Sequence, residues 1–265
     1  MRAYRIAYDG QPYYGFQRQP DVETVEDAVL DALRALDVLA TGADTPPGYA
    51  AAGRTDAGVS ARAQTVAFEA PDWLTPAALN SELPADVRSW ASADAPEGFH
   101  ATHDAASRTY TYDLHAPDAD DGRAREALDG LAGEHDFHNL TPDETGTVRT
   151  LSTELRRDGD FLVVALTADG FARQLVRRVV SVVAEVARGE ADGDRVERVL
   201  SAEPLSGPAG VAPAPALGLV LTDVTYPSLS FSVDEDAAES ARTVFGTRRD
   251  RHATRARVAG RLHVP

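Results

Sequence analysis

Apolar side chains in this chain recur at two spacings, every second residue and about every 3.6 residues, and the two alternate in the same order twice. The first spacing suits a strand and the second an amphipathic helix. The order strand-helix-strand-strand-helix-strand, written twice, leaves few folds open. The first copy opens with a strand over 4–9, where Tyr4, Ile6 and Tyr8 share a face. A Gly- and aromatic-rich loop covers 10–19. The next helix has Thr24 as N-cap with Asp27 three residues on, and Val25, Ala28, Val29, Ala32, Leu33 and Leu36 follow at helical spacing. A Gly/Pro stretch over 42–48 ends it. A short strand over 49–51, a strand over 64–69, a helix opened by Thr75-Pro76 and closed before Pro84, and a strand over 87–93 complete the unit.

The second copy begins with a strand over 107–115, with Tyr110, Tyr112 and Leu114 on one face. A helix over 123–131 precedes a hairpin of strands 149–156 and 161–167, turning through Asp158-Gly159. A valine-rich helix over 171–188, a short helix over 194–200, a Pro/Gly-rich loop from Ser206 and a strand over 218–226 follow. The expected fold is α+β: two ferredoxin-like βαββαβ halves, 1–104 and 105–227, joined through a mainly antiparallel sheet. Helices would cover one face, and a catalytic cleft would lie between the halves. Residues 228–265 fall outside the repeat, as an acidic helix over 234–244 and a tail with six arginines within 248–261. That tail reads either as an RNA contact or as a solvated terminus.

The absence of cysteine excludes disulfides, a thiolate zinc site and a cysteine nucleophile. No apolar run reaches the roughly 18 residues of a membrane span, and no signal peptide opens the chain, so a cytoplasmic protein with no membrane partner is expected. All 26 basic residues are arginine, against 42 acidic ones, for a net charge of −16. A lysine-free, Asp-rich surface suits a cytoplasm of very high salt, a composition of the haloarchaeal type. Net charge alone argues against a nucleic-acid partner. In molar salt, however, the Debye length is about 3 Å, so recognition rests on short, desolvated contacts, for which arginine is well suited.

One segment is unusually specific: Ala51-Ala52-Gly53-Arg54-Thr55-Asp56-Ala57-Gly58-Val59-Ser60-Ala61. Gly53 and Gly58 bracket Arg54 and Asp56 on a tight loop that permits close backbone approach to a substrate. The loop resembles the signature of the TruA family of tRNA pseudouridine synthases. The resemblance extends through Tyr8-Asp9-Gly10, Tyr14-Gly15-Phe16-Gln17-Arg18-Gln19, Thr24-Val25-Glu26, Leu79-Asn80, Leu83-Pro84-Ala85-Asp86-Val87 and Phe99-His100-Ala101. It continues at Arg108-Thr109-Tyr110-Thr111-Tyr112, at Phe171 with Leu175-Val176-Arg177, and at Gly218-Leu219, and so runs from about 4 to 226. Ser60 stands where the family usually has histidine, and Leu175 where methionine is common.

The resemblance implies a cofactor-independent isomerase that converts uridine to pseudouridine in the anticodon stem-loop of tRNA, at positions 38, 39 or 40. It implies a homodimer with tRNA lying across both subunits. It makes Asp56 the catalytic carboxylate and Arg177 its partner, holding it charged and oriented. Tyr110 would stack on the target uracil, and Arg54 would help push the nucleotide out of the RNA stack. The chemistry itself breaks N1–C1′ and joins C5 to C1′, which asks for a nucleophile or general base and no metal or redox group. Two other readings stay open. One is an RNA-binding or chaperone protein of the same fold without chemistry. The other is a metal-dependent hydrolase using Asp56 with the pairs His100/His103 and His135/His138, although each pair lacks a third ligand at metal spacing.

Overall fold

A computed structural model describes residues 1–262. Within the first half it holds β1 (Arg2–Tyr8), α1 (Val25–Ala35), β2 (Ala50–Ala51), β3 (Ser60–Phe68), α2 (Pro76–Asn80) and β4 (Val87–Asp94). Beyond these lie β5 (Ser107–His115), α3 (Asp121–Gly130), β6 (Gly133–Asp136), β7 (Val148–Asp158), β8 (Phe161–Ala168), α4 (Leu175–Ala187), α5 (Asp194–Leu200) and β9 (Leu219–Thr225). The chain closes with β10 (Ser232–Val233) and α6 (Glu235–Leu262). The fold is α+β, built on one large sheet.

The strands follow one another as β10-β4-β1-β3-β9-β5-β8-β7-β6, with β2 on the far end of β3. Every pairing is antiparallel except β3 with β9, where Ser60 faces Val220 and Ala61 faces Leu221. The strings β4-β1-β3-β2 and β9-β5-β8-β7 have the same internal order, fourth-first-third-second, which is the ferredoxin-like arrangement. On β5 and β8 the faces divide cleanly. Tyr110, Tyr112 and Leu114 pair with Leu166, Val164 and Leu162 and are buried beneath the valines of α4. The opposite face carries polar pairs instead, Thr109–Thr167 at 2.8 Å and Thr111–Thr222 at 3.0 Å between hydroxyls.

Local chemistry explains most boundaries. Thr24 accepts from the Asp27 amide and donates its hydroxyl to the Asp27 carboxylate at 2.6 Å, so α1 starts where the cap places it. Asp234 accepts from Ala237 of α6 with one oxygen and from Ala77 of α2 with the other, both at 3.1 Å, and caps two helices at once.

Four expectations need correcting, and two short strands add to them. Strand β3 begins at Ser60, four residues before the apolar alternation, because Ala61 already pairs with Tyr8 and Leu221. Helix α4 begins at Leu175 and not 171, because Gln174 takes a left-handed φ of 61° that no helix continues through. The hairpin turns through Gly159-Asp160, since Asp158 still pairs with Phe161. Short β6 and β10 escape the sequence periodicities altogether. Finally, 234–262 is one continuous 28-residue helix after its cap, not a short acidic helix with a separate tail; residues 263–265 lie outside the described residues.

Candidate active site

The loop between β2 and β3 is held from several sides. The Ala52 amide donates to Thr65 O at 2.8 Å, the hydroxyls of Thr55 and Tyr8 meet at 2.8 Å, and Gln64 donates to Gly53 O at 2.8 Å. Ser60 accepts from the Gly10 amide at 3.0 Å, so the residue in the usual histidine position ties this loop to the 10–19 loop. Gly58 has φ +78°, which an L side chain rarely adopts. Gly53 does not need to be glycine on steric grounds: a Cβ there meets nothing closer than 3.8 Å. Two glycines of the neighbouring 10–19 loop are tight against this one: Gly15, at φ +97°, where a Cβ would lie 2.7 Å from Thr55 O, and Gly10, where a Cβ would lie 2.0 Å from Val59 O. Sequence reading names both glycines within resembling segments but not their squeeze, because it comes from a loop 40 to 49 residues away.

Asp56 projects from this loop toward α4. Its carboxylate lies 3.2 Å from Nη1 of Arg177, a residue 121 positions later. Arg177 is fixed at its other end, donating from Nε to Ala214 O at 2.6 Å while its own carbonyl accepts from the Ala214 amide at 3.0 Å. The side chains are 15% and 31% exposed for Arg177 and Asp56, so the pair is reachable from solvent yet largely shielded. The loop carrying Ala214 is anchored by the Tyr112 hydroxyl, which donates to Pro215 O at 2.9 Å.

Tyr110 stands beside the pair, its ring edge-on to Phe171 at a centroid distance of 5.2 Å. Burial, countered by Arg108 and reinforced by the Asp56 charge, pushes its phenol up to about 12. Its hydroxyl has no hydrogen-bond partner among the described residues. Arg54 is exposed on the lip and forms no ion pair among the described residues. These four residues line one cleft of about 1500 Å³, together with Phe16, Phe171 and Leu219.

Sequence reasoning overlooked three contributors. Arg108 is buried and gathers the carbonyls of Ala52, Thr102 and Asp169, so it binds the start of the Asp56 loop to the second half. An arginine alternating with Tyr110 and Tyr112 on a buried face was the available signal. On the opposite lip, Asp143 accepts from the Arg173 amide at 2.8 Å and lies 3.3 Å from its Nε. Gln174, with its left-handed backbone, also lines the cleft. Neither histidine pair forms a metal site: the exposed rings of His100 and His103 lie tilted at a centroid distance of 4.2 Å, with His103 lining the cleft, and His135 contacts Ala132 O at 2.8 Å. Among the described residues, no three His, Cys, Asp or Glu side chains cluster as metal ligands do.

A half-shielded carboxylate steadied by a guanidinium can act as nucleophile or general base, and a neighbouring buried aromatic can receive a planar base. Residues 127–227 match the sequence model of the tRNA pseudouridine synthase family. The tRNA pseudouridine synthase A of Haloarcula marismortui is 65% identical over 99% of this chain and 98% of that protein. That of Natronomonas pharaonis is 62% identical with both chains covered in full, and that of Archaeoglobus fulgidus 35% identical over 95% of this chain and 93% of that one.

Proposed function

The chain belongs to the tRNA pseudouridine synthase A family, and from that premise we propose that it isomerises uridine to pseudouridine in the anticodon stem-loop of tRNA, at position 38, 39 or 40. The observation that carries the residue assignment is the 3.2 Å pair between Asp56 and Arg177, set beside Tyr110 at one end of an open cleft. Binding alone would not call for a carboxylate aimed at a polyanion, and this argues against the chemistry-free reading.

In the proposed reaction the target nucleotide leaves the RNA stack, which costs a few kcal/mol. Arg54, exposed at the lip, occupies the vacated space, and stacking of the uracil on Tyr110 offsets part of the cost. The Asp56 carboxylate acts as nucleophile or base while N1–C1′ breaks. The uracil rotates within the cleft, C5 joins C1′, and the C5 proton is lost as N1 gains one, so substrate and product have the same composition. Arg177 keeps the carboxylate aimed throughout, with Ala214 holding Arg177. None of these steps draws on a metal or a cofactor.

The remaining parts of the proposal are a homodimer acting on tRNA in a high-salt cytoplasm, and a division into half-units 1–104 and 105–227 with the appended segment 228–265. The repeated strand order supports the division, and the acidic, lysine-free composition supports the setting. Release of tritium from C5-labelled uridine in tRNA tests the activity: the expected result is many turnovers per subunit, abolished by Asp56→Ala. Full activity in Asp56→Ala would remove the carboxylate from the mechanism, and release limited to one equivalent would return the chain to a binding role.

A further inference from the structure

We propose that the outer half of α6, residues 249–262, is a second RNA-binding element: an arm that takes the phosphate backbone of the substrate outside the cleft. This rests on the tRNA reading above and adds a site to it.

Helix α6 has two unlike halves. The inner half is capped by Asp234, buries Ala237 and Ala238, and is pinned at Arg248, whose guanidinium meets the carboxylates of Asp9 at 2.5 Å and Asp86 at 3.8 Å. From 249 onward every described residue is exposed. Fourteen helical residues therefore extend for about 21 Å without support from the body of the protein. Helices that are polar all round and bury nothing are marginal on their own, which points to a partner.

Charge and geometry identify that partner. Residues 249–262 carry five arginines and one aspartate, a net of +4 in a chain whose total is −16. Helical spacing puts Arg251 and Arg255 in line with Arg248, and Arg257 and Arg261 together on another side. Guanidinium groups form bidentate bonds to phosphate and work at short range, as high salt demands. The large apolar groups exposed on the arm are Val258 and Leu262, too few for the apolar centre of a stable protein interface. The pin also fixes where the arm starts: Asp9 leads directly into the 10–19 loop, whose Tyr14, Phe16 and Gln17 line the cleft. The base of the arm is thus tied, through Asp9, to the loop that lines one side of the cleft.

The test is a variant with Arg251, Arg255, Arg257 and Arg261 all changed to Gln, which keeps helix propensity and removes four charges. Binding of an unmodified tRNA transcript is measured over a potassium chloride series, beside steady-state tritium release. The variant is expected to raise KM for tRNA about tenfold or more with kcat unchanged. Its slope of log K against log salt should become shallower by about 0.7–0.9 for each phosphate that the arm no longer neutralises. An unchanged KM and salt slope would overturn the arm. So would a change in sedimentation with unaltered tRNA affinity, which would assign the arm to a second copy of the chain. Absence of tritium release from the unmutated protein would instead reject the isomerase reading, while the binding slopes would still decide the arm.

Discussion

Replacing Gly15 by alanine tests how the 10–19 loop supports the Asp56 loop. The added Cβ would lie 2.7 Å from Thr55 O and 3.3 Å from both Ala57 N and Asp56 C, all backbone atoms that cannot swing aside as a side chain can. Ordinary van der Waals separation begins near 3.4 Å, so Thr55–Ala57 must retreat by about 0.7 Å or the Gly15 backbone must yield. Two costs combine: about 1–3 kcal/mol for an alanine held at φ +97°, and a similar amount for overpacking. Arg177 is tethered to Ala214 and does not follow the displaced loop, so the Asp56–Arg177 geometry is lost. Misplacement of about 1 Å can cost on the order of a hundredfold in rate. Gly42→Ala is the control, because Gly42 has φ +84° with open space around it and isolates the backbone cost from the steric one. Urea unfolding at fixed high salt should place Gly15→Ala about 1–3 kcal/mol below Gly42→Ala, with kcat reduced at least about tenfold in Gly15→Ala alone. Equal stability and equal kcat in the two variants would refute the reasoning.

Three further outcomes are expected. Thr24→Ala should lower stability by about 1 kcal/mol in urea unfolding, since it removes the α1 cap. Tyr110→Phe should retain most activity, while Tyr110→Ala should lose about 1–3 kcal/mol of substrate stacking, read as a rise in KM or a fall in kcat. Burial pushes the phenols of Tyr4, Tyr110 and Tyr226 up to about 12, above the ordinary value near 10. Their neutral forms therefore favour the folded state fully below pH 10, and that contribution is lost as pH rises from 10 toward about 12. At about pH 11 phenolate absorbance should therefore rise on unfolding, as these three go from largely unionised to largely ionised.

Elements whose own residues carry the determinant were legible in the sequence. β5 and α5 occupy the expected spans, and Thr24 caps α1, because alternation and capping are local. Elements that exist through pairing were not. β6 reads Gly-Glu-His-Asp, without an apolar face, and is a strand because it lies along β7. The site divides the same way. Asp56, Arg54, Tyr110 and Arg177 were legible through motif resemblance, and the structure brings them to one cleft. Arg108, Gly15 and the Asp143–Arg173 pair act through atoms 30 to 61 residues away, which no local spacing announces.

The central claim is that Asp56 and Arg177 work as a unit, and a double-mutant cycle on the single-turnover rate constant measures it. Asp56→Asn, Arg177→Met and the double variant are compared in single-turnover tritium release from labelled tRNA. If Arg177 acts by steadying the carboxylate, the double variant should be no slower than Asp56→Asn alone. Losses that multiply across the two sites, or an Asp56→Asn enzyme that turns over like the unmutated protein, would contradict the account.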